Sequence, residues 1–266
     1  MENLLPSIYK EISSYLEKHK AVSGEELMWK IDQEVDKLND NEKKELEKLL
    51  KGDVSQMIFD GITGKIRLSV FSPDMHVSIN YLGDVFYCPP THKYMPNELE
   101  NAFKRLSQMR FDRISQKVED TMRNLMTDSG YTISDIKTQI QGVYKGIDAV
   151  KNSHKMQVLI FPSIVFVSES LGALGEIPHT YVVTIPSEKT PAPFVNFIRE
   201  NIDTIRGNEK MMIWAVNPDQ MTISPFLGKP TDNEIWKRLK DPEKSLMASQ
   251  NWMKGMVRSR VLDEDF

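Results

Sequence analysis

The stretch from Thr180 to Asn217 constrains this chain more than any other. It opens with the apolar run "TYVVTIP", turns through "SEKTPAP" into an amphipathic segment, and returns in "MMIWAV". Apolar runs without alternation are the pattern of strands buried on both faces. Between them Phe194, Phe197, Ile198, Ile202 and Ile205 recur on one helical face, and Gly207 stops it. Strands over 180–185 and 211–216 with a helix over 193–206 make a βαβ unit, with parallel strands and a right-handed crossover. The loops after the two strands then share one edge of the sheet, so "PSEKT" and "NPDQ" are expected near each other, where α/β sheets commonly hold ligands. Ser187, Lys189, Thr190 and Asp219 are therefore the ligand-binding candidates. Pro191 and Pro193 lack two of the N–H groups through which a helix start holds an anion, so the corner suits a rigid surface feature better than a phosphate cradle.

The N-terminal half has a different rhythm. Leu5, Ile8, Ile12, Tyr15 and Leu16 have helical spacing, as do Leu27, Ile31, Val35 and Leu38. Ser23 with Glu26 fits a capping box for the second of these helices, and a third runs from Asp40 to about Leu50. Residues 55–88 then read as an antiparallel meander. "KIRLSVF" and "HVSINYL" alternate, and turn residues stand at Asp60-Gly61, Thr63-Gly64 and Gly83-Asp84. A long helical pattern follows from Asn97 to Asp128, with a bend near Phe111. Ile136, Ile140, Val143, Tyr144, Ile147 and Val150 fall on one further helical face. Residues 156–168 are apolar around Pro162, "MTISPF" follows the "NPDQ" turn, and helices begin after Thr231 and after Pro242. The fold class is thus α/β or α+β: a helical N-terminus with an antiparallel meander, then a βαβ-containing C-terminal part. The change of pattern divides the chain into 1–130, helical plus antiparallel β, and 131–266, α/β.

The formal net charge of −4 gives no global reason to bind polyanions, so any nucleic-acid contact needs a local basic patch. One cysteine, Cys88, forms no intramolecular disulfide and points to a reducing, cytoplasmic setting. The opening stretch interrupts its apolar residues with charges, which predicts a soluble, unprocessed start and no membrane partner. The 15 methionines suit adaptable packing or a plastic contact surface.

Particular residues bear on several chemistries. Cys88 and His92 in "CPPTH", with a distant His76, are too few and too scattered for a zinc site, and no signature makes Cys88 and His92 a nucleophile pair. Gly172 and Gly175 in "SLGALGE" have neither dinucleotide nor Walker spacing and read as loop glycines after a strand. Nucleases of the restriction-endonuclease type need an acidic residue and then a strand bearing Glu-x-Lys, since two carboxylates hold magnesium while the lysine sits beside the activated water. Asp148 in "GID" and Glu188 with Lys189 in "SEK" invite that comparison. Two obstacles stand against it: Asp148 falls inside the helical set 136–150, and neighbouring strand residues such as Glu188 and Lys189 point to opposite faces. Lys104, Arg105, Arg110 and Arg113, with Lys254, Arg258 and Arg260 near the C-terminus, are the candidate nucleic-acid contacts. The first four spread around their helix and form no single stripe.

What the residues point to is a non-enzymatic interaction, regulatory or assembly protein that associates with a protein partner or with itself and needs no cofactor. Exposed-type aromatics, Trp236 and Trp252, support that reading. The alternative is a nucleic-acid-processing protein, a divergent restriction-endonuclease-like nuclease with Glu188 and Lys189 as catalytic candidates and magnesium as its cofactor.

Overall fold

The computed structural model describes residues 4–66, 77–89 and 95–264, with side chains described as far as residue 255. The chain forms two compact units, Met1–Leu106 and Ser107–Phe266, in a mixed α+β architecture.

In the first unit four helices share one apolar core: α1 (Leu4–His19), α2 (Gly24–Asp36), α3 (Asp40–Leu50) and α4 (Val54–Ile62). Ile12, Leu27, Ile31 and Ile58 lie at its centre, fully buried. Ser23 caps α2, its hydroxyl accepting the Glu26 N–H at 3.0 Å. The Glu26 carboxylate, expected to return to the cap, is drawn elsewhere: it accepts the Tyr15 hydroxyl at 2.7 Å and the Arg105 Nε–H at 2.8 Å. The complete capping box stands at the start of α3, between Asn39 and Glu42. The meander expected over 55–88 begins with a helix instead, because Val54, Ile58, Phe59 and Ile62 form one apolar face behind an Asp53 cap. Asp60-Gly61 therefore sits in the last turn of α4, not between strands. "KIRLSVF" lies largely outside the described residues. Its expected partner is present as β2 (Val77–Tyr81), paired antiparallel with β3 (Asp84–Cys88), which also pairs with the short β1 (Val22–Ser23). Leu82 and Gly83 turn the hairpin with φ of 49° and 91°, the positive angles that a two-residue turn needs to match strand twist.

Helix α5 (Pro96–Asp112) carries the chain into the second unit and is separated from α6 (Ser115–Asp128) by a turn at Arg113–Ile114. The expected long helix is thus two, parted close to Phe111. The six strands that follow are β4 (Thr132–Ile136), β5 (Lys145–Lys151), β6 (His154–Ile160), β7 (Tyr181–Pro186), β8 (Met211–Asn217) and β9 (Thr222–Leu227). They lie in one sheet in chain order. β4, β5 and β6 form an antiparallel meander, β6, β7 and β8 are parallel, and β9 returns antiparallel at the edge. Two helices make the parallel crossovers, α7 (Ile164–Gly175) and α8 (Ala192–Gly207). Both pack on the same face because successive right-handed crossovers advance in one direction. Helix α6 covers the other face together with α9 (Asn233–Arg238). The last helix, α10 (Pro242–Glu264), contacts α8 and β9.

Two expectations give way here. Residues 136–150 form no helix: Ile136 ends β4, Ile147 and Val150 lie on β5, and Ile140, Val143 and Tyr144 belong to the connection. Gly146 explains the choice. It pairs with Ile136 across the ladder, and a Cβ there would stand 2.8 Å from Ile136 Cγ1. In a helix the same residue would cost about 1 kcal/mol relative to alanine. Gly172 and Gly175, expected in a loop after a strand, stand instead within α7.

Candidate ligand site at the carboxyl edge of the parallel strands

Beyond β7 the backbone keeps to the ladder for one more residue, with the Ser187 N–H donating to Val216 O at 2.7 Å. It then breaks from the sheet, so the alternation that would send Glu188 and Lys189 to opposite faces no longer applies. Both line the same cavity, of about 330 Å³, together with Ser187, Thr190 and Pro191. The opposite wall comes from β9, with Ser224, Pro225 and Phe226, and from one face of α10, with Ser245, Ala248, Ser249 and Trp252. Phe194 of α8 and Ala215 of β8 complete it.

Each wall has a local cause. Pro225 is tolerated because β9 is an edge strand, where a missing N–H removes no interior ladder bond; a register shift in β8 lies beside it, between Ile213 and Trp214. Phe194 and Phe226 meet edge to face at 4.8 Å, and Trp252 leans on Phe226 at 6.3 Å. On α10 the spacing of Ser245, Ala248, Ser249 and Trp252 sets small side chains on the turn before the indole, which leaves room above β9. The Ser249 hydroxyl donates to Leu246 O at 3.0 Å and that of Ser224 to Lys240 O at 3.4 Å. Glu188 accepts the hydroxyl of Ser163 at 2.6 Å. Ser163 is fully buried at the N-cap of α7 and makes no side-chain cap bond to its own helix. The Glu188 carboxylate takes up the place of an anion at a helix start, where the helix dipole favours it.

Ser187, Lys189 and Thr190 of the expected ligand group are therefore together. Asp219 is apart from them: it occupies the β8–β9 turn, with its N–H on Asn217 Oδ1 at 3.1 Å, and does not line the cavity. Phe226, Ser245, Ala248 and Ser249 were not singled out in the sequence. The signal was a helical face of small residues ending in a tryptophan, where a buried face normally carries large apolar side chains. Trp252, an exposed-type aromatic by sequence, is half-buried against this cavity. Trp236 is half-buried too, beneath Lys229 Nζ at 4.6 Å, and the tryptophan with the larger exposure is Trp29 at 42%.

Asp148 stands on β5, not on a helix, which removes one obstacle to the nuclease comparison and raises another. Its ladder partner on β6 is Gln157, and the same face continues to Lys155 on one side and Leu159 on the other. Where the chemistry asks for Glu-x-Lys, this face offers Gln157 and the buried Leu159. Lys155 Nζ lies 2.7 Å from Asp148 Oδ2, while Oδ1 is buried without a hydrogen-bond partner. Gln157 is level with Tyr181 at the start of β7, whereas Glu188 lies past its end. At a rise of ~3.3 Å per residue the two carboxylates are roughly 20 Å apart and do not share a metal. Among the described residues, no three His, Cys, Asp or Glu side chains gather as a metal site requires.

Cys88 is buried in β3, and burial pushes its thiol pKa up, away from the thiolate a nucleophile needs. His76 and His92 lie outside the described residues. Of the basic candidates, Lys104 pairs with Glu100 at 2.8 Å. Arg105 is held inside the first unit, by Glu26 through Nε at 2.8 Å and by Ala21 O through NH2 at 2.6 Å. Arg110 also has a partner. Arg113 and Lys254 are exposed, and the side chains of Arg258 and Arg260 lie outside the described residues. No helix among the described residues is long and apolar enough to cross a membrane.

Residues 113–241 match a family described as a domain of unknown function (DUF6834), C-terminal domain. The match begins in the turn before α6 and ends just before α10, so it spans the sheet and leaves the helical wall of the cavity outside. No curated protein matches the chain.

Proposed function

We propose that the protein is a non-enzymatic binding protein of the regulatory or assembly class, and that its second unit holds a ligand in the cavity between the β7–α8 corner, β9 and α10. One observation carries this reading. At the edge where α/β sheets commonly bind ligands, the chain builds a chiefly apolar cavity whose single lining carboxylate, Glu188, already accepts the hydroxyl of Ser163. Such walls favour holding a molecule over transforming it. Protein partners and self-association belong to the same reading, with the exposed Trp29 and Met247 as contact residues.

A second reading, the divergent metal-dependent nuclease, draws support from the strand placement of Asp148 and its unpartnered Oδ1. It moves the catalytic carboxylate from Glu188 to Asp148 and would use Lys155, with magnesium supplying the Lewis acid. A cleavage assay on DNA and RNA with magnesium or manganese separates the two. The binding reading expects no cleavage above background. Divalent-dependent cleavage that disappears in Asp148→Ala or Lys155→Ala would overturn it.

A further inference from the structure

The chemistry of the cavity narrows what it holds. Four of its lining residues present flat or ring surfaces: Phe194, Phe226, Trp252 and Pro225. A fifth, Pro191, stands at the corner. The two prolines fix the backbone on either side, so the gap is formed before a ligand arrives and little ordering is needed on binding. At about 330 Å³ the space is at the small end of ligand sites, which run from ~300 to ~1,000 Å³. Ring faces and edges at these angles favour a planar aromatic guest, which gains offset or edge-to-face contacts that a saturated ring of the same size does not.

The polar groups select further. The Ser249 hydroxyl already donates to Leu246 O and that of Ser224 to Lys240 O, so what each turns toward a guest is an oxygen lone pair. Two lining hydroxyl oxygens, one on β9 and one on α10, thus offer acceptors to a guest that carries an N–H or O–H donor, while Lys189 lines the corner as a cation.

We infer that the cavity binds a small planar aromatic or heteroaromatic molecule bearing at least one N–H or O–H donor. This rests on the binding reading above and names the ligand class for that site.

Three matched probes test it on the full chain: 2-naphthol, which has ring and donor; 2-methoxynaphthalene, which has the ring alone; and decahydro-2-naphthol, which has the donor alone. Binding is read by backbone amide shifts in a ¹⁵N-labelled sample. 2-Naphthol should shift the amides of Ser187–Thr190, Ser224, Phe226 and Ser245–Trp252. The methoxy compound should bind several-fold more weakly and the saturated alcohol about tenfold more weakly, on the scale of one aromatic pair or one hydrogen bond. Ala248→Trp, at an exposed position on α10, should abolish the shifts while circular dichroism is unchanged. Trp252→Ala should weaken 2-naphthol about tenfold. If decahydro-2-naphthol shifts the same amides at equal concentration, the aromatic assignment is overturned and the cavity reading stands. If the methoxy compound equals 2-naphthol, the donor requirement is overturned. Should no probe shift these amides, or should shifts survive Ala248→Trp, both the ligand class and the cavity reading fail.

Discussion

Two glutamates set the two units apart. Glu26, in the first, is 4% exposed and accepts from Tyr15 and Arg105, so its charge is closed off within the core. Glu188, in the second, is half-buried at the rim of a cavity and accepts from the Ser163 hydroxyl. The first arrangement stabilises a fold, and the second sets a carboxylate on the wall of a cavity. Sequence alone misplaces the cation of the first pair: Arg105 looks like a nucleic-acid contact, whereas Glu26 already reads as a structural cap and "SEK" as a candidate site. The lesson concerns charge. A basic residue in a helix reports function only after its partner is known, and a partner lying far off in sequence is not visible from local pattern.

The largest effect expected from this contrast is on Arg105. Arg105→Ala leaves Glu26 without its cation and should cost about 3 kcal/mol in urea unfolding, near the low end for a broken buried pair because the arginine is partly exposed. A loss below about 1 kcal/mol, the range of surface pairs, would place Glu26 in the same class as Glu188.

Next comes Gly146. Gly146→Ala should destabilise the second unit by about 2 kcal/mol through contact with Ile136, as overpacking does. Ile136→Ala in the same chain should recover part of the loss, because the two sites touch. Independent, additive losses would return residues 136–150 to the helix their spacing suggests.

That segment shows where legibility ended. Helix α8 was readable because one helix buries one face on one sheet, and its five apolar residues, Phe194 to Ile205, are all buried. The parallel pairing of β7 with β8 followed from the helix between them, and the "NPDQ" turn marked the end of β8. Residues 136–150 misled because apolar side chains shared between two strands and their connection happened to repeat at helical spacing. Gly142 and Gly146, four apart, were the contrary sign. In the site, Ser187, Lys189 and Thr190 were accessible from topology, since loops after parallel strands share an edge. Phe226 and Trp252 were not, because tertiary packing alone sets α10 over β9.

A smaller effect lies in the alkaline range. Burial, and then the hydrogen bond to Glu26, raise the Tyr15 hydroxyl well above its ordinary value of 10.0. A group whose folded pKa is raised contributes stability that is complete below the unfolded value and lost as pH rises toward the folded one. Stability should therefore fall above about pH 10. Tyr15→Phe should cost about 1 kcal/mol at pH 7 and flatten that fall. An unchanged alkaline slope in the variant would mean that the Tyr15–Glu26 bond does not set it.

The smallest effect belongs to Glu188. Glu188→Gln keeps an acceptor for Ser163 and should change stability by about 1 kcal/mol or less, while Glu26→Gln should cost more. Equal losses would erase the distinction between a structural and a site carboxylate.

The most direct measurement uses the four tryptophans. Labelled with 5-fluorotryptophan, they give separate ¹⁹F signals for the exposed Trp29, the buried Trp214, the half-buried Trp236 and the cavity residue Trp252. Titration with 2-naphthol is predicted to move the Trp252 signal and leave the other three in place. A shift confined to Trp29, or no shift at Trp252 at saturating probe, would contradict a ligand cavity at the carboxyl edge of the sheet.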